Sequence, residues 1–316
     1  MNTKRDKSIG VLMLGGAKRV SMACHLREAA TLLGLELRLY SYELSALVPI
    51  ATVATIVEGM RWNDSEVVND LHRVVKENDI DVMIPFVDGA VEVVARYPFA
   101  DCYAPVCSPT LAAMMFDKVV AAELFARERI PIPRTYTRGA PQFPLIAKPR
   151  RGSASRGLKI VRSSADFRSI DPSQYLIQEY IETRREYTVD CFVDREGQII
   201  VTVPRERLEI AGGEVTRTMT VDRDDIIEMS CHILRTLKFT GAVTLQFLQD
   251  TRNNKLLLME INPRLGGGAV CSVAAGANLP LYILKESLGE SLEPVAGWRP
   301  GTVIARYMQE VVFHLK

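Results

Sequence analysis

The sequence predicts an α/β region with a parallel sheet, followed by an α+β region with antiparallel sheet. Apolar strand-like runs alternate with helix-like runs over about the first 105 residues, the pattern of a doubly wound parallel sheet. From residue 143 onward, short strand-like runs separated by turns predominate, and one helix-like run spans 222–237.

Three strands and two helices are predicted in the first region. The strands are 9–16, 35–43 and 80–86, and the helices are 20–34 and 65–79. The glycines of "GGAKRV" follow the first strand. They fit a simple strand-to-helix turn better than a dinucleotide site, because the full GxGxxG pattern is absent.

The middle of the chain changes from helix to strand. Residues 108–130 predict two helices, and the prolines of "PIPRTY" end them. The strands predicted after this point are 143–149, 158–161, 175–181, 186–194, 198–210 and 241–250. The final "TVIARYMQEVVF" is interpreted as a strand that packs back on the core.

Composition is that of a soluble globular protein. The 316 residues are 47% hydrophobic and 24% charged, and the formal net charge of +1 gives no general attraction to nucleic acid or to an anionic membrane. No apolar run reaches transmembrane length. The six cysteines form no CxxC and the four histidines form no HxH or HExxH, so we expect reduced thiols in a cytoplasmic protein without a zinc site.

A predicted hairpin, "AVTLQFLQDTRNNKLLLMEIN", carries the strongest chemical signal. If Asn253 is the centre of the turn, Gln246 lies opposite Glu260. Gln246, Glu260 and Asn262 then share one face, while two matching apolar sets, Val243, Leu245, Phe247 and Leu257, Met259, Ile261, form the other. Three oxygen donors suit Mg²⁺. A solvated polar face is the weaker alternative, because Arg264 and "GGG" follow and suit an anion.

A second signal is the loop at 150–157, in "LIAKPRRGSASRGLKIV". A strand delivers Lys148, and a stretch of small and basic residues follows it, whose backbone N–H groups could form an anion nest. The loop is not a Walker A motif, and a solvated basic hairpin explains it equally well when it is considered alone.

Two further stretches are weaker. "YLIQEYIETRREYTVD" could bind adenine through its backbone and ribose through Glu186, although an ordinary surface connection explains it as well. In "VPRERLEIAGGEVTRTMTV", Arg205, Arg207 and Arg217 flank a Gly-Gly turn and could line an acceptor pocket, or form a solvated charged hairpin.

In order and spacing, these features resemble the ATP-grasp superfamily from about residue 109 to residue 288. Lys118, in "MMFDKVVAA", matches the family's first phosphate lysine, and "EINPR" matches the end of its metal-binding strands. A Gln at the first metal position is similar to the large chain of carbamoyl phosphate synthetase. The chain looks like a small stand-alone carboxylate–amine ligase related to that grasp unit, and the neutral Gln246 leaves one or two Mg²⁺ ions open.

The resemblance implies an N-terminal Rossmann-like domain (1–107), a central ATP-grasp lobe with a glycine-rich lid (108–177) and a C-terminal lobe with the metal site (178–316). It implies ATP contacts from Lys118, Lys148, Arg151, Gly152, Ser153, Ser155, Gly157, Gln178, Glu179, Tyr180, Ile181 and Glu186. It implies metal contacts from Gln246, Glu260 and Asn262, and substrate contacts from Arg205, Arg207, Arg217, Arg264, Gly267 and Gly268. Lys148 and Arg264 are the expected catalytic residues.

The implied activity is an ATP- and Mg²⁺-dependent ligase, with Mn²⁺ able to replace Mg²⁺. A carboxylate attacks the γ-phosphorus of ATP to give an acyl phosphate, and an amine then displaces phosphate. The partners expected are small carboxylates and amines, with no nucleic acid or membrane and with a homodimer left open. Bicarbonate activation to carboxyphosphate and a non-catalytic nucleotide-binding regulator are the alternatives.

Overall fold

The N-terminal part of the chain forms a four-stranded parallel sheet. The computed structural model describes residues 8–97, 99–136, 141–152 and 156–314. The strands are β1 (Ser8–Leu14), β2 (Glu36–Glu43), β3 (Thr55–Glu58) and β4 (Val82–Pro85). They lie in the order β3-β2-β1-β4, and every neighbouring pair is parallel. The predicted parallel sheet is therefore confirmed, although the short β3 was not predicted.

Helices connect these strands and cover the sheet. They are α1 (Val20–Leu32), α2 (Val67–Glu77) and α3 (Asp88–Arg96), with a 3-10 turn at Pro49–Thr52. Helix α3 was not predicted; it begins just after β4, so its first residue, Asp88, lies at the carboxyl edge of the sheet.

Two short helices lead out of this region, as predicted. They are α4 (Pro109–Met115) and α5 (Lys118–Arg127). Ser108 caps α4, and the Asp117 carboxylate caps α5 by accepting the N–H groups of Val119 and Val120. The second cap explains why the helical run divides here. The first N–H groups of a helix have no carbonyl partner within it, and the Asp117 carboxylate supplies one at the start of α5.

A small three-stranded antiparallel sheet follows. Its strands are β5 (Leu145–Pro149), β6 (Lys159–Val161) and β7 (Tyr175–Glu179), in the order β6-β5-β7, with α6 at Ser164–Ser169. Leu145, Ala147 and Ile177 form the centre of its own small core.

The C-terminal part forms a six-stranded antiparallel sheet in the order β12-β11-β8-β9-β10-β13. Its strands are β8 (Arg184–Val193), β9 (Ile199–Ala211), β10 (Glu214–Thr220), β11 (Gly241–Asp250), β12 (Leu256–Asn262) and β13 (Val303–Ala305). Its helices are α7 (Asp224–Leu237), α8 (Val270–Ala274) and α9 (Leu279–Ser287). Helix α9 packs on α1, so that one apolar cluster joins the parallel sheet to the six-stranded sheet.

The β11–β12 hairpin has the predicted pairing at its centre. Gln246 lies opposite Glu260, and the next cross-strand pair beyond the shift in register is Phe247 with Leu258. Met259 is therefore an extra residue in β12, a β-bulge that reverses which side chains face the core. The predicted apolar face is wrong at two positions, because Leu258 is buried instead of Leu257 and Met259.

The predicted C-terminal strand is also shorter than expected. The strand ends at Ala305, where its ladder with β10 ends, and Tyr307 and Met308 beyond it are exposed. Among the helices of the described ranges, none has the length and apolarity needed to cross a membrane.

Candidate active site

A deep cleft of about 630 Å³ opens between the three sheets. The parallel sheet contributes Arg19 and Asp88 from its carboxyl edge. The three-stranded sheet contributes Lys148, and the six-stranded sheet contributes the polar face that includes Glu260. Parts of the chain up to 287 residues apart, from Arg19 to Arg306, therefore line one space.

The three predicted metal residues meet on the floor of the cleft. The Glu260 carboxylate accepts hydrogen bonds from Gln246 Nε2 at 2.7 Å and from Asn262 Nδ2 at 3.1 Å. The described residues contain no group of three or more Asp, Glu, His or Cys side chains able to hold a metal by themselves. One carboxylate and two amides fit a Mg²⁺ ion that takes its remaining ligands from phosphate oxygens and water.

Arg264 lies directly beside this group and crosses to the parallel sheet. Its Nη2 donates to Asn262 Oδ1 at 3.2 Å, and its Nε donates to Asp88 Oδ1 at 2.8 Å. Its carbonyl accepts a hydrogen bond from Thr244 Oγ1 at 2.9 Å. The guanidinium is therefore held at both ends next to the metal residues, and its Nη1 donates no hydrogen bond to the part of the chain that the structure describes.

Lys148 enters the cleft from β5 and is held by Gln178. Its Nζ donates to Gln178 Oε1 at 3.0 Å, and Gln178 Nε2 donates to the carbonyl of Pro133 at 3.2 Å. Burial lowers the pKa of the Lys148 ammonium, and the attraction of Glu260 opposes this shift only in part. Gln178 is buried behind the lysine and does not line the main cleft, so its contact is with Lys148.

Lys118 and the glycine-rich segment lie together at the mouth. Lys118 Nζ donates to the carbonyl of Gly152 at 2.7 Å, and both residues line the cleft. Gly152 and Gly157 have φ values of +113° and +72°, which favour glycine. Arg151 points away from the cleft toward Glu92, at 3.6 Å. The predicted contacts Ser153 and Ser155 lie outside the described residues.

The predicted adenine segment crosses from the small sheet to the large one. Glu179, Tyr180 and Ile181 all line the cleft. The Glu179 carboxylate accepts the backbone N–H of Arg134 at 2.9 Å. The Glu186 carboxylate lies between two arginines, accepting from Arg184 Nε at 2.9 Å and from Arg207 Nη1 at 3.1 Å.

The comparisons with known proteins agree with this architecture. Residues 171–310 match a family model described as "ATP-grasp in the biosynthetic pathway with Ter operon". The biotin carboxylase domain of the Hydrogenobacter thermophilus 2-oxoglutarate carboxylase, solved with MgADP and bicarbonate, superposes with a TM-score of 0.75 at 15% identity, covering 93% of this chain and 73% of that one. The Thermotoga maritima N5-carboxyaminoimidazole ribonucleotide synthetase superposes with a TM-score of 0.68 at 16% identity, covering 90% and 77%.

The chain has the ATP-grasp fold. The resemblance predicted from the sequence is thereby confirmed. Curated relatives include the mouse (Mus musculus) methylcrotonoyl-CoA carboxylase subunit alpha, 25% identical over 48% of this chain. The carbamoyl phosphate synthase large chain of Bifidobacterium animalis subsp. lactis is 24% identical over 48%. The aligned region spans only 24% and 15% of these two relatives.

The arginines predicted to bind substrate have three different environments in this ATP-grasp fold. Arg205 lines the cleft but is almost fully buried, in a two-point ion pair with Asp190 at 2.6 and 3.1 Å. Arg207 faces the cleft and donates to Glu186 and to Gln246 Oε1, the latter at 3.3 Å; burial lowers its pKa. Arg217 is exposed, lies 3.6 Å from Glu209, and is not brought to the cleft.

The glycines after Arg264 allow arginines to approach closely. A Cβ atom on Gly268 would lie 2.6 Å from Arg205 Nη1, and one on Gly267 would lie 2.7 Å from Arg19 Nη1. Any side chain at either position would therefore displace a guanidinium that lines the ATP-grasp cleft.

Sequence reasoning missed several residues of this cleft. Arg19 and Asp88 arrive from strand-to-helix connections of the parallel sheet, Met259 arrives through the bulge, and Arg306 follows β13. The basic pair Lys18 and Arg19 after the Gly-Gly turn was the one available signal for the N-terminal contribution. The other three positions depend on tertiary contacts that the sequence does not display.

Proposed function

We propose that the protein is an ATP- and Mg²⁺-dependent ligase that joins a carboxylate to an amine through an acyl phosphate, releasing ADP and phosphate. The observation that carries the proposal is the convergence of Lys118, Lys148, Glu260, Asn262 and Arg264 on one cleft. The two lysines suit the phosphates of a nucleotide, and Glu260 and Asn262 suit the metal ion bound to those phosphates. The Arg264 guanidinium suits a substrate carboxylate.

ATP in this proposal lies between the three-stranded and six-stranded sheets. The base contacts the segment around Tyr180 and Ile181, and the apolar side chains of Ile146 and Met259 line the same cleft. The triphosphate extends toward Lys148 and Lys118. This placement corresponds to proposed units of 1–107, 108–177 and 178–316, with the nucleotide between the last two.

The residues of the cleft act by holding and orienting the reactants. Glu260, Asn262 and Gln246 would hold one Mg²⁺ firmly, and when bound this ion neutralises phosphate charge. A second ion would be held less strongly, because Gln246 is neutral where a carboxylate would attract it more. Lys148, freed from Gln178, pairs with the phosphates and stabilises charge on the transferred group.

Arg264 orients the carboxylate for attack. A carboxylate oxygen forms a bond to the γ-phosphorus as the bond to the ADP oxygen breaks, giving acyl phosphate and ADP. The amine nitrogen then attacks the acyl carbon, phosphate leaves, and the amine proton is released. No nucleophilic side chain is required, because the contribution of the protein is proximity and electrostatic stabilisation.

Bicarbonate activation is the second candidate. It is favoured by the similarity to the Hydrogenobacter domain that was solved with bicarbonate and to the carbamoyl phosphate synthase large chain. A homodimer in the cytoplasm remains our proposal for assembly and location; the Hydrogenobacter domain is described as a dimer.

A screen for ADP and phosphate release tests the proposal. The protein is incubated with ATP, Mg²⁺ and pairs drawn from amino acids, other carboxylates and amines, and in parallel with bicarbonate alone. Release that requires both a carboxylate and an amine supports the ligase. Release with bicarbonate alone supports the second candidate, and nucleotide binding without release under any condition supports a regulator. The Glu260→Gln variant is the negative control, with Glu209→Gln as its exposed match.

A further inference from the structure

Arg19 lies at the edge of the cleft, at the end of the loop that precedes α1. The Glu43 carboxylate accepts a hydrogen bond from Ser41 Oγ at 2.6 Å, and the backbone N–H groups of Gly16 and Ala17 lie near this carboxylate. The N–H of Ile50 donates to the carbonyl of Ala17 at 3.0 Å. The buried Glu43 therefore lies against the loop from which the Arg19 side chain enters the cleft, and the N–H of Arg19 donates to the carbonyl of Gly16 in that loop.

Three guanidinium groups converge near Gly267. A Cβ atom on this glycine would lie 2.7 Å from Arg19 Nη1 and 3.1 Å from Arg306 Nη2. Arg306 also donates to the carbonyl of Gly267, and the guanidinium of Arg264 lies close enough to repel that of Arg19. The cleft thus concentrates positive charge beside the residues assigned to the carboxylate.

Two of these three cations have acidic partners. Arg264 pairs with Asp88 at 2.8 Å, and Arg306 pairs with Glu214 at 2.9 Å. Arg19 makes no hydrogen bond or ion pair with any side chain in the described ranges, and its guanidinium does not cap α1. Among the described residues, this end of the cleft therefore has three arginines and two paired acidic side chains, an excess of one positive charge.

The electrostatic environment of Arg19 favours an anionic ligand. Burial lowers its pKa, and the nearby Arg264 and Arg306 lower it further, while the attraction of Glu214 acts in the opposite sense. A partly buried cation repelled by two others gains most from an anionic ligand, because an arginine cannot escape the penalty by losing its proton.

We propose that Arg19 binds a second anionic group of the carboxylate substrate, which therefore carries two anionic groups and is called a dianion here even where a phosphate adds further charge. Its reacting carboxylate lies at Arg264, and its second group, a carboxylate or a phosphate, lies between Arg19 and Arg306. This inference rests on the proposed function and narrows its substrate class. Arg19 is a specificity-determining residue, and Gly267 is glycine because a side chain there would push the guanidinium away.

Binding of matched anions tests the inference without any turnover. The full chain, with ADP and Mg²⁺ present, is titrated at constant ionic strength and followed by its thermal unfolding midpoint. One pair of probes is succinate and butyrate, and the other is 3-phosphoglycerate and glycerate. Within each pair the carbon chain is the same length and only the second anionic group differs. The variants are Arg19→Gln and, as control, Lys18→Gln, which removes the same charge from the exposed neighbouring position.

The expected result is that a dianion binds the wild type more tightly than its monoanionic match. That preference should fall about tenfold or more in Arg19→Gln and stay near the wild-type value in Lys18→Gln. The pair that shows the preference tells whether the second group is a carboxylate or a phosphate. Equal binding of dianion and monoanion to the wild type, or an equal preference in Arg19→Gln, would overturn the inference.

Kinetics separate this inference from the proposed function. If turnover is found, Arg19→Gln should raise KM for the carboxylate substrate while leaving KM for ATP near its original value. An increase in KM for the amine instead would place the second anion on the other reactant and contradict the proposal. If no turnover is found but Arg19-dependent dianion binding persists, the ligase proposal fails while the anion site stands.

Discussion

Replacing Arg205 should destabilise the fold far more than it changes substrate affinity. Arg205 and Asp190 are each about 1% exposed, and the guanidinium donates to both carboxylate oxygens at 2.6 and 3.1 Å. In Arg205→Met, a chain of similar length fills the space, but Asp190 loses both hydrogen bonds. Within the described residues, it keeps the hydrogen bond that Ser272 Oγ donates at 2.6 Å.

The cost follows from leaving a charge buried without its partner. Removal of one member of a buried ion pair costs about 3–5 kcal/mol of unfolding free energy. Replacing both members, in Arg205→Met with Asp190→Leu, should recover more than half of that loss, because no unpaired charge remains. Arg217→Met, at an exposed arginine of the same sheet, should cost no more than about 0.5 kcal/mol.

Urea unfolding followed by circular dichroism measures these differences, and KM for ATP and for the carboxylate substrate is determined for the variants that remain folded. A loss of less than about 1 kcal/mol in Arg205→Met, together with a large increase in KM for the carboxylate, would refute the structural role. Arg205 would then be a substrate-binding residue, as the sequence predicted.

Further predictions concern the cleft. Glu260→Gln should keep the fold and lose about a hundredfold or more of Mg²⁺-dependent turnover, so near-normal turnover at saturating Mg²⁺ would contradict its role. Burial holds the pKa of the Lys148 ammonium below its usual range in the free protein, and bound phosphates should raise that pKa. Nucleotide binding should then take up protons and weaken as pH rises through the lowered pKa of the free protein. Calorimetry over a series of pH values, each in two buffers with different ionisation enthalpies, should detect the uptake, and Lys148→Arg should abolish it. Arg264→Lys should reduce kcat much more than ATP affinity, because an ammonium cannot bridge Asp88 and Asn262; equal losses in both would count against it.

The sequence predicted the centre of the site because local signals agreed there. The "DTRNN" turn and the alternation on either side fixed Gln246 opposite Glu260, and the structure has that pair. The bulge at Met259 lies one residue before this pair, where no turn residue or glycine marks it. Alternation alone therefore gave the wrong apolar face between the turn and Glu260, at Leu257 and Met259.

What the sequence could not predict depends on burial and on distant contacts. Arg205 and Arg217 look alike in the charged hairpin, yet only Arg205 meets Asp190 across β8 and β9. Asp88 could not be linked to Arg264, because 176 residues separate them and α3 itself was missed. Strands β1 and β4 of the parallel sheet were easier to predict, since both are buried, near-continuous apolar runs.

The fate of a labelled oxygen tests the central claim most directly. The carboxylate substrate identified by the ADP-release screen is labelled with ¹⁸O, and the phosphate and amide products are analysed by mass spectrometry. An acyl phosphate transfers one carboxylate oxygen to phosphorus, so the released phosphate should carry one ¹⁸O atom per turnover. Unlabelled phosphate alongside a labelled amide would contradict carboxylate activation by phosphoryl transfer, and with it the ligase mechanism proposed for this cleft.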